Sequence, residues 1–468
     1  METLADLIAC EDVLMFVNAA ITSTGQREFH SGEDEQRLSL DFLHLYMVEN
    51  YRGLYAATLA LDINDHNAVR IAKNLLMTGV RQAVEGRLIA RRLALLPPQR
   101  VYGLFRELRK AKVNNRRTRA IMRDWLAARP DPAFDAVKYR GAVKNAARHA
   151  HLALDGELGP FLFAPSGRKV FATPLLETWR RAHYEAAAIY QLPYTVAEGF
   201  AAKHGIDRGA FLERIAPRLT RLETLRLQET SRGHQTKTIE RDLTGMPLTR
   251  LASYVLGLSL DDRAKRRTEL TEALRAAADR AAGRQAGTWG RVTAVLDDSF
   301  SAFGSVTKRR RPLAVAVACH YLLEALAGDY RGLWLSGRCD ELLLYPYGPT
   351  PLGKRIMDAL GTEPERLVIV SDGWDNAPAG LAGEVLRVWR TRLDPDRRVS
   401  IVHLNPVYDA ADFDVRRLSP SVPAAGIRDA EDLPALVELA QFAEGRTGLA
   451  ELQTHLADRV GTFLEKDS

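Results

Sequence analysis

Apolar residues recur at three- and four-residue spacing over residues 4–282, and short segments with Pro, Gly or Asn interrupt them. This spacing places the apolar side chains on one face of each helix, so it predicts a series of amphipathic helices. The clearest helical stretches are 40–51, 69–78, 119–128, 175–190 and 248–257. About ten short helices without a sheet are more typical of an α-solenoid than of a bundle. Residues 1–285 are therefore expected to form one domain of HEAT-like helical repeats.

The pattern changes at Trp289, after a stretch rich in Gly and Ala, and strand and helix signals then alternate. Short apolar runs predict strands at 291–296, 332–336, 341–346, 366–370 and 399–404. Helical spacing predicts helices at 312–327, 351–360, 381–392, 434–443 and 448–464. Alternating strands and helices indicate a mostly parallel sheet, so residues 289–468 are expected to form a doubly wound, Rossmann-like domain. The predicted fold class is α plus α/β.

The first predicted strand ends in Asp297, Ser299 and Ser301, which form a D-x-S-x-S sequence. Open α/β sheets bind ligands at the carboxyl ends of their strands, where this sequence lies. One carboxylate and two hydroxyls are oxygen donors that suit a small hard cation, above all Mg²⁺. Asp and Ser are also common at strand ends as turn and helix-cap residues, so both interpretations stay open.

Charge is unevenly distributed along the chain. Residues 1–290 hold 44 Lys and Arg against 33 Asp and Glu, a net charge of +11, whereas residues 291–468 hold 21 against 26, a net charge of −5. Residues 51–150 alone carry 21 basic and 7 acidic residues. Such a concentration of basic residues indicates contact with a polyanion, for example a nucleic acid.

Two predicted helices in this basic stretch carry their cationic side chains on one face. The first helix spaces them at i, i+3 and i+7 as Arg116, Arg119 and Arg123. The second helix spaces them at i, i+4 and i+7 as Lys144, Arg148 and His151. Each spacing gathers the side chains within one narrow arc of a helix. The stripes fit either the solvated faces of amphipathic helices or a surface that contacts phosphates.

The residues at the strand ends resemble the metal-ion-dependent adhesion site of von Willebrand factor A domains, in which D-x-S-x-S, a loop Thr and a strand-end Asp surround one Mg²⁺. Here Gly348-Pro349-Thr350 supplies the threonine, where the family usually has Gly-Gly-Thr, and Asp372 supplies the second carboxylate. The resemblance implies one divalent cation with a coordinating set made of Asp297, Ser299, Ser301, Thr350 and Asp372.

Segments 119–126, 136–140, 148–152 and 246–251 are similar to the TROVE module of telomerase-associated, Ro and vault proteins. Together with the A-type domain, their order resembles the Ro ribonucleoprotein family over nearly the whole chain. The resemblance implies binding of Y-like small noncoding RNA and of the single-stranded ends of misfolded RNA. It places eight residues on or just beside the RNA-contacting helices: Arg116, Arg119, Arg123, Lys138, Arg140, Lys144, Arg148 and His151.

No sequence pattern indicates catalysis, because P-loop, G-x-G-x-x-G and H-E-x-x-H motifs are missing. We therefore predict a protein that is not an enzyme. No run approaches 18 apolar residues and no signal peptide is evident, which predicts a cytoplasmic protein without membrane contact. The rival to RNA binding is a metal-dependent protein-interaction module of a bacterial regulatory or conflict system. In that alternative, the cation binds an acidic side chain of a partner protein.

Overall fold

The chain divides into two compact units in the computed structural model, which describes residues 3–78, 82–167, 170–220, 223, 227, 243, 245–442 and 448–465. The sheet unit comprises residues 1–71 and 241–468, and the helical unit comprises residues 72–240. This division differs from the expected boundary near residue 285. The reason is that the first two helices of the chain, and those between residues 246 and 282, pack within the sheet unit.

The helices are bounded as follows, in chain order: α1 (Leu4–Thr22), α2 (Glu33–Asn50), α3 (Arg52–Ala57), α4 (Asp65–Met77), α5 (Ala83–Leu95), α6 (Pro98–Lys110), α7 (Arg116–Ala127), α8 (Pro132–Lys138), α9 (Arg140–Ala150), α10 (Leu158–Phe163), α11 (Pro174–Arg181), α12 (Ala186–Ile189), α13 (Tyr194–Lys203), α14 (Arg208–Ile215), α15 (Leu248–Gly257), α16 (Leu260–Lys265), α17 (Arg267–Ala282), α18 (Arg311–Leu326), α19 (Leu352–Leu360), α20 (Leu381–Val388), α21 (Leu433–Phe442) and α22 (Leu449–Glu465). The strands are β1 (Arg291–Leu296), β2 (Asp329–Trp334), β3 (Arg366–Val370), β4 (Ser400–Asn405), β5 (Tyr408–Asp409), β6 (Asp414–Val415) and β7 (Ala424–Gly426).

Five strands form a parallel sheet in the order β2-β1-β3-β4-β7, and β5 pairs with β6 in a separate antiparallel ribbon. The strands predicted at 291–296, 332–336, 366–370 and 399–404 correspond to β1 to β4. A five-stranded parallel sheet with helices between its strands is consistent with a Rossmann-like domain and confirms the mixed α and α/β class.

The strand predicted at 341–346 is wrong. Glu341–Leu343 is instead a 3-10 turn, and Asp340 caps it by accepting a hydrogen bond from the Leu342 N–H at 3.2 Å. Strand β7 was not predicted, because Ala424-Ala425-Gly426 is short and holds no β-branched or aromatic residue that would signal a strand.

Side chains of the central strands alternate between two cores. Val295 and Ile369 pack with α19 and α20 on one face of the sheet. Helix α18 covers β1 and β2, and its residues 312–323 are all buried. A helix that is apolar on all sides is expected in such a position.

The amino-terminal helix α1 packs against β6 and β7 of the sheet unit. Buried Asn18 donates from Nδ2 to Asp414 Oδ1 at 2.8 Å, and its Oδ1 accepts from the Gly426 N–H at 2.8 Å. A Cβ at Gly426 would lie 2.8 Å from Thr22 Cγ2, so the close approach of helix and strand requires glycine there. Residues that the sequence pattern assigned to the helical domain thus complete the sheet unit.

The helical unit contains α5 to α14 and is organised around aromatic packing. Helix α9 packs against α6, α7 and α8. Tyr102 meets Trp125 edge to face at 5.1 Å between ring centroids, and its hydroxyl donates to buried Asp135 at 3.0 Å. The predicted helical stretches 119–128 and 175–190 correspond to α7 and to α11 with α12. Regular HEAT-like repeats stay a prediction. No helix in the described ranges is long and apolar enough to cross a lipid bilayer.

Replacing Asn18 by Ala should lower the free energy of unfolding by about 1–3 kcal/mol, because the buried Gly426 N–H loses its acceptor and Asp414 Oδ1 keeps only the Val415 N–H of its two donors. Urea denaturation followed by hydrogen exchange of β7 measures this effect. The control is Asn50→Ala, since the Asn50 side chain is exposed and its hydrogen bond goes to the Tyr46 carbonyl of the same helix. That control should change the free energy by less than about 0.5 kcal/mol. An equal effect of both changes would contradict the role of Asn18.

Candidate metal centre and nucleic-acid interface

Two neighbouring parallel strands, β1 and β3, are each followed by a buried carboxylate. Asp297 comes directly after β1 and Asp372 lies two residues beyond β3, and each is 4% exposed. The Asp297 N–H donates to the Val370 carbonyl at 3.0 Å, and Ser371 Oγ donates to Asp297 Oδ2 at 2.9 Å. The parallel register therefore brings both predicted acidic ligands to the same edge of the sheet.

The two hydroxyls of the D-x-S-x-S sequence are buried beside Asp297. Ser299 Oγ and Ser301 Oγ lie 3.2 Å apart. Asp297 Oδ1 accepts a hydrogen bond from the Ser299 N–H at 2.9 Å, which is the short-range bond of an Asx turn. The sequence left open whether these residues form a turn or bind a cation. The two roles are compatible, because the Asp297 hydrogen bond shapes the loop that carries both serines.

Thr350 is buried in a loop that reaches the D-x-S-x-S segment. The Phe300 N–H donates to the Gly348 carbonyl at 3.0 Å, which joins the two loops. Asn376 fixes the threonine, because its Oδ1 accepts from the Thr350 N–H at 2.8 Å. Sequence reasoning did not identify Asn376, since an isolated Asn in a loop gives no signal of its own.

The ionised form of Asp297 is disfavoured at this edge of the sheet. Burial raises the pKa of Asp297 well above its usual range, and the negative charge of Asp372 raises it further, whereas hydrogen bonds from Ser299 and Ser371 oppose the shift. A divalent cation would offset both the desolvation and the like-charge repulsion. Among the described residues, no group of three or more His, Cys, Asp or Glu side chains is placed to hold a metal. A metal held here would therefore need hydroxyl donors as well, and a mixed carboxylate and hydroxyl set is of a kind that suits Mg²⁺.

Asp298, the neighbour of Asp297, has a different role. Its carboxylate accepts hydrogen bonds from the Ser336 N–H at 2.9 Å and from Ser336 Oγ. These bonds tie the end of β1 to the segment after β2. Asp298 therefore holds the edge of the sheet together and is not part of the predicted ligand set.

His30 is a further residue at this edge, and sequence reasoning did not identify it. It belongs to the segment between α1 and α2, and its Nε2 lies 3.4 Å from Asp372 Oδ2. Nothing in the local sequence of His30 signals a metal site. Only the packing of the amino-terminal helices within the sheet unit brings it there.

Most of the predicted RNA-contacting residues lie on the surface of α7 and α9 in the helical unit. The exposed ones are Arg116, Arg119, Arg123, Arg148 and His151. His149 Nε2 bonds to the Val113 carbonyl at 2.8 Å, so the start of α7 lies beside the end of α9. The structure thereby brings one end of each basic stripe together.

The remaining three predicted residues are half-buried and engaged with neighbours. Arg140 lies over the Trp179 ring at 4.9 Å and donates to the Phe161 carbonyl at 2.9 Å. Lys138 lies 3.7 Å from Glu223, and Lys144 lies over the Phe163 ring at 5.6 Å. Arg140 therefore stabilises the packing of α9 with α10 and α11, which limits its freedom to contact RNA.

The two structural units separate charge more sharply than the two halves of the sequence do. Residues 72–240 carry 31 Lys and Arg against 15 Asp and Glu, a net charge of +16. The sheet unit carries 34 against 44, a net charge of −10. The candidate metal centre thus belongs to an acidic unit, and the candidate nucleic-acid interface belongs to a strongly basic one.

Asp297→Asn should abolish binding of Mg²⁺ and should also raise the melting temperature of the metal-free protein, because it removes one of two buried like charges. Calorimetric titration with Mg²⁺ and thermal unfolding in EDTA measure the two effects. Asp358→Asn is the control, since Asp358 is an exposed surface carboxylate paired with Arg355. Unchanged Mg²⁺ affinity in Asp297→Asn would show that the site is misassigned.

Comparison with known proteins leaves the family open. No family model matches the chain, and no curated protein matches it either.

Proposed function

We propose that the protein binds RNA through the helical unit, as a ribonucleoprotein of the Ro type with a TROVE-like module and a von Willebrand A-like domain. The observation that carries this proposal is the net charge of +16 on residues 72–240, with exposed arginines along α7. Cationic side chains bind phosphates and release condensed counterions, which gives affinity without sequence preference. The proposed ligands are Y-like small RNA and the single-stranded ends of misfolded RNA.

A cleft between α6 and α9 supports single-stranded RNA as the ligand. Its volume is about 320 Å³, and its lining combines rings, amides and an arginine: Gln99, Tyr102, Gly103, Phe105, Arg106, Tyr139, Ala142, Asn145 and Ala146. Tyr139 is half-buried and offers a ring face for stacking of an unpaired base. The amides of Gln99 and Asn145 can both donate to and accept from base edges.

In this proposal the sheet unit supplies a docking surface rather than a catalytic one. Asp297, Ser299, Ser301, Thr350 and Asp372 would hold one Mg²⁺, which supplies a Lewis-acidic position for an oxygen ligand. These residues would orient the cation. The hydrogen bond from Ser371 to Asp297 and the one from the Thr350 N–H to Asn376 would keep the donors in place. In this proposal the protein is not an enzyme, and it acts in the cytoplasm.

A second candidate function is a metal-dependent protein-interaction module. Exposed aromatic residues beside the candidate metal centre favour it, since Phe300 is 60% exposed and Tyr347 is 63% exposed. Aromatic side chains are enriched where proteins bind one another. The absorbance ratio at 260 and 280 nm of the purified protein distinguishes the candidates. RNA binding predicts a raised ratio that falls on washing with high salt, and the second candidate predicts no bound nucleic acid.

Replacing Arg116, Arg119 and Arg123 together by Gln should weaken binding of single-stranded RNA. Three lost phosphate contacts should make the slope of log K against log salt shallower by about two units, at about 0.7 per contact. Fluorescence anisotropy over a salt series measures this slope. Gln preserves helix propensity, so the variant tests binding rather than folding.

The matched control replaces Arg291, Arg387 and Arg398 by Gln, because these exposed arginines lie in the sheet unit. It removes the same number of charges from the chain and should leave the slope unchanged. If the α7 variant has the same slope of log K against log salt as the unmodified protein, Arg116, Arg119 and Arg123 form a solvated helix face.

RNA binding should survive chelation, because phosphate contacts of the helical unit need no metal. The affinity for single-stranded RNA in EDTA should stay within about twofold of that in Mg²⁺ at matched ionic strength. Anisotropy titrations in the two buffers measure the difference. Complete loss of binding in EDTA would place the RNA site at the metal instead.

A further inference from the structure

Helix α2 of the sheet unit presents three large apolar side chains to solvent. Leu38 is 73% exposed, Phe42 is 53% exposed and Leu45 is 60% exposed. Their spacing of i, i+4 and i+7 places them within an arc of about 60° on one face of the helix. The opposite face packs inside the sheet unit, where Leu40 and Leu43 are buried. The helix therefore has two apolar faces, and the core of its own unit covers one of them.

Aromatic neighbours hold the ring of Phe42 in place. It stacks on Tyr46 of the same helix with 6.0 Å between centroids and an interplanar angle of 17°. It also meets Phe413, in the turn between β5 and β6, edge to face at 5.3 Å. Ordering a side chain costs conformational entropy, so a ring that is already positioned loses less when a partner covers it.

Helix α1 adds exposed apolar side chains beside the end of α2. The Tyr46 hydroxyl donates to Asp12 Oδ2 at 2.6 Å, and Ser23 Oγ donates to Gln36 Oε1 at 3.2 Å, so the two helices run antiparallel. Ile8, which is exposed, lies one turn before Asp12 and thus toward the carboxyl end of α2. Apolar side chains that are grouped on one surface in this way mark a site of interaction.

Charge restricts the kind of partner that this surface can bind. Apart from Arg37, every charged residue of α1 and α2 is acidic, and 8 acidic residues against 1 basic residue give a net charge of −7: Asp6, Glu11, Asp12, Glu33, Asp34, Glu35, Asp41 and Glu49. Two copies of this surface placed face to face would repel each other, and an anionic lipid surface would be repelled as well.

Three of these acidic residues border the apolar stripe itself. Asp34, Asp41 and Glu49 lie within about 60° of Leu38 around the helix axis. Asp34 and Asp41 form ion pairs with Arg37 and Arg70, but both carboxylates are exposed, and exposed ion pairs contribute little. A cationic partner could therefore pair with all three carboxylates at small cost.

We propose that α2 docks a basic amphipathic helix of a partner protein. The apolar stripe of that helix covers Leu38, Phe42 and Leu45, and its flanking lysines or arginines pair with the acidic residues of α1 and α2. A helix that contacts these three side chains needs apolar residues at three- and four-residue spacing, as in other complexes of paired helices. This docking requires neither the candidate cation nor RNA, because it uses no residue of the candidate metal centre or of the helical unit.

Two synthetic peptides test the proposal against the full chain, freed of nucleic acid by washing with high salt. Both have about 21 residues with leucine at the a and d positions of three heptads, and their flanking positions hold Lys in one peptide and Glu in the other. Leu38→Gln combined with Leu45→Gln should weaken binding of the Lys peptide about tenfold or more, because it removes apolar area from the contact. Fluorescence anisotropy of the labelled peptides measures the affinity. Gln keeps helix propensity close to that of Leu, so the fold of α2 is preserved.

The matched control is Met357→Gln combined with Leu393→Gln, which removes two exposed apolar side chains elsewhere in the sheet unit. It should leave the affinity for the Lys peptide within about twofold of that of the unmodified protein. Undiminished affinity of the α2 variant for the Lys peptide would overturn the docking site. An equal loss of affinity for the Glu peptide in that variant would overturn the basic character of the partner.

Other occupants of the surface give different results. Sedimentation equilibrium of the unmodified protein should show no self-association that the α2 variant abolishes, and a dimer that is lost in that variant would overturn the proposal in favour of a second copy of the chain. Flotation with anionic phosphatidylserine vesicles should show no binding through α2, and binding that is lost in the variant would overturn it in favour of a lipid surface.

Discussion

Electrostatic repulsion between two buried carboxylates, Asp297 and Asp372, is the constraint on which the edge of the sheet depends. Parallel pairing of β1 with β3 brings the two carboxylates to the same edge of the sheet, and burial removes most of their contact with water. Neighbouring groups donate hydrogen bonds to both carboxylates. The Ser299 N–H and the Ser371 hydroxyl donate to Asp297, and the Trp374 N–H donates to Asp372. Buried carboxylates require such donors, and a carboxyl group with a perturbed pKa is a candidate for a functional role. A cation at this place would offset both the repulsion and the desolvation of Asp297.

The amino-terminal residues 1–71 pack within the same sheet unit. Glu28 and Lys308 form a buried ion pair within the sheet unit, and removing either partner would leave an uncompensated charge. The ion pair, the Asn18 contacts with Asp414 and Gly426, and the stacking of His30 on Trp374 all join residues 1–71 to the carboxyl-terminal sheet. The chain leaves this unit to form a helical unit with a charge of +16 and then returns to it. An acidic unit with a candidate cation site and a basic unit with exposed arginines would suit two different ligands.

Hydrophobic periodicity predicts the strands β1, β3 and β4 well, because they are buried on both faces and are mostly apolar, with few polar residues between the apolar ones. The positions of the D-x-S-x-S sequence and of Asp372 can be predicted for the same reason, because each closely follows a strand that the apolar pattern identifies. What periodicity cannot show is which elements pack together. Asn18, His30 and Asn376 contribute through contacts with residues distant in sequence. The sequence also does not show that Arg140 stacks on Trp179, which limits its contact with a ligand. The turn at Glu341–Leu343 depends on the cap from Asp340, which overrides an apolar run that resembles a strand.

Ultraviolet crosslinking to single-stranded RNA, with the crosslinked peptides identified by mass spectrometry in Mg²⁺ and in EDTA, tests the division of function most directly. RNA binding through the helical unit predicts crosslinks in α6, α7 and α9 that are equally strong in both buffers. Crosslinks that concentrate in residues 291–468, or that disappear in EDTA, would contradict it and would place the RNA at the metal edge of the sheet.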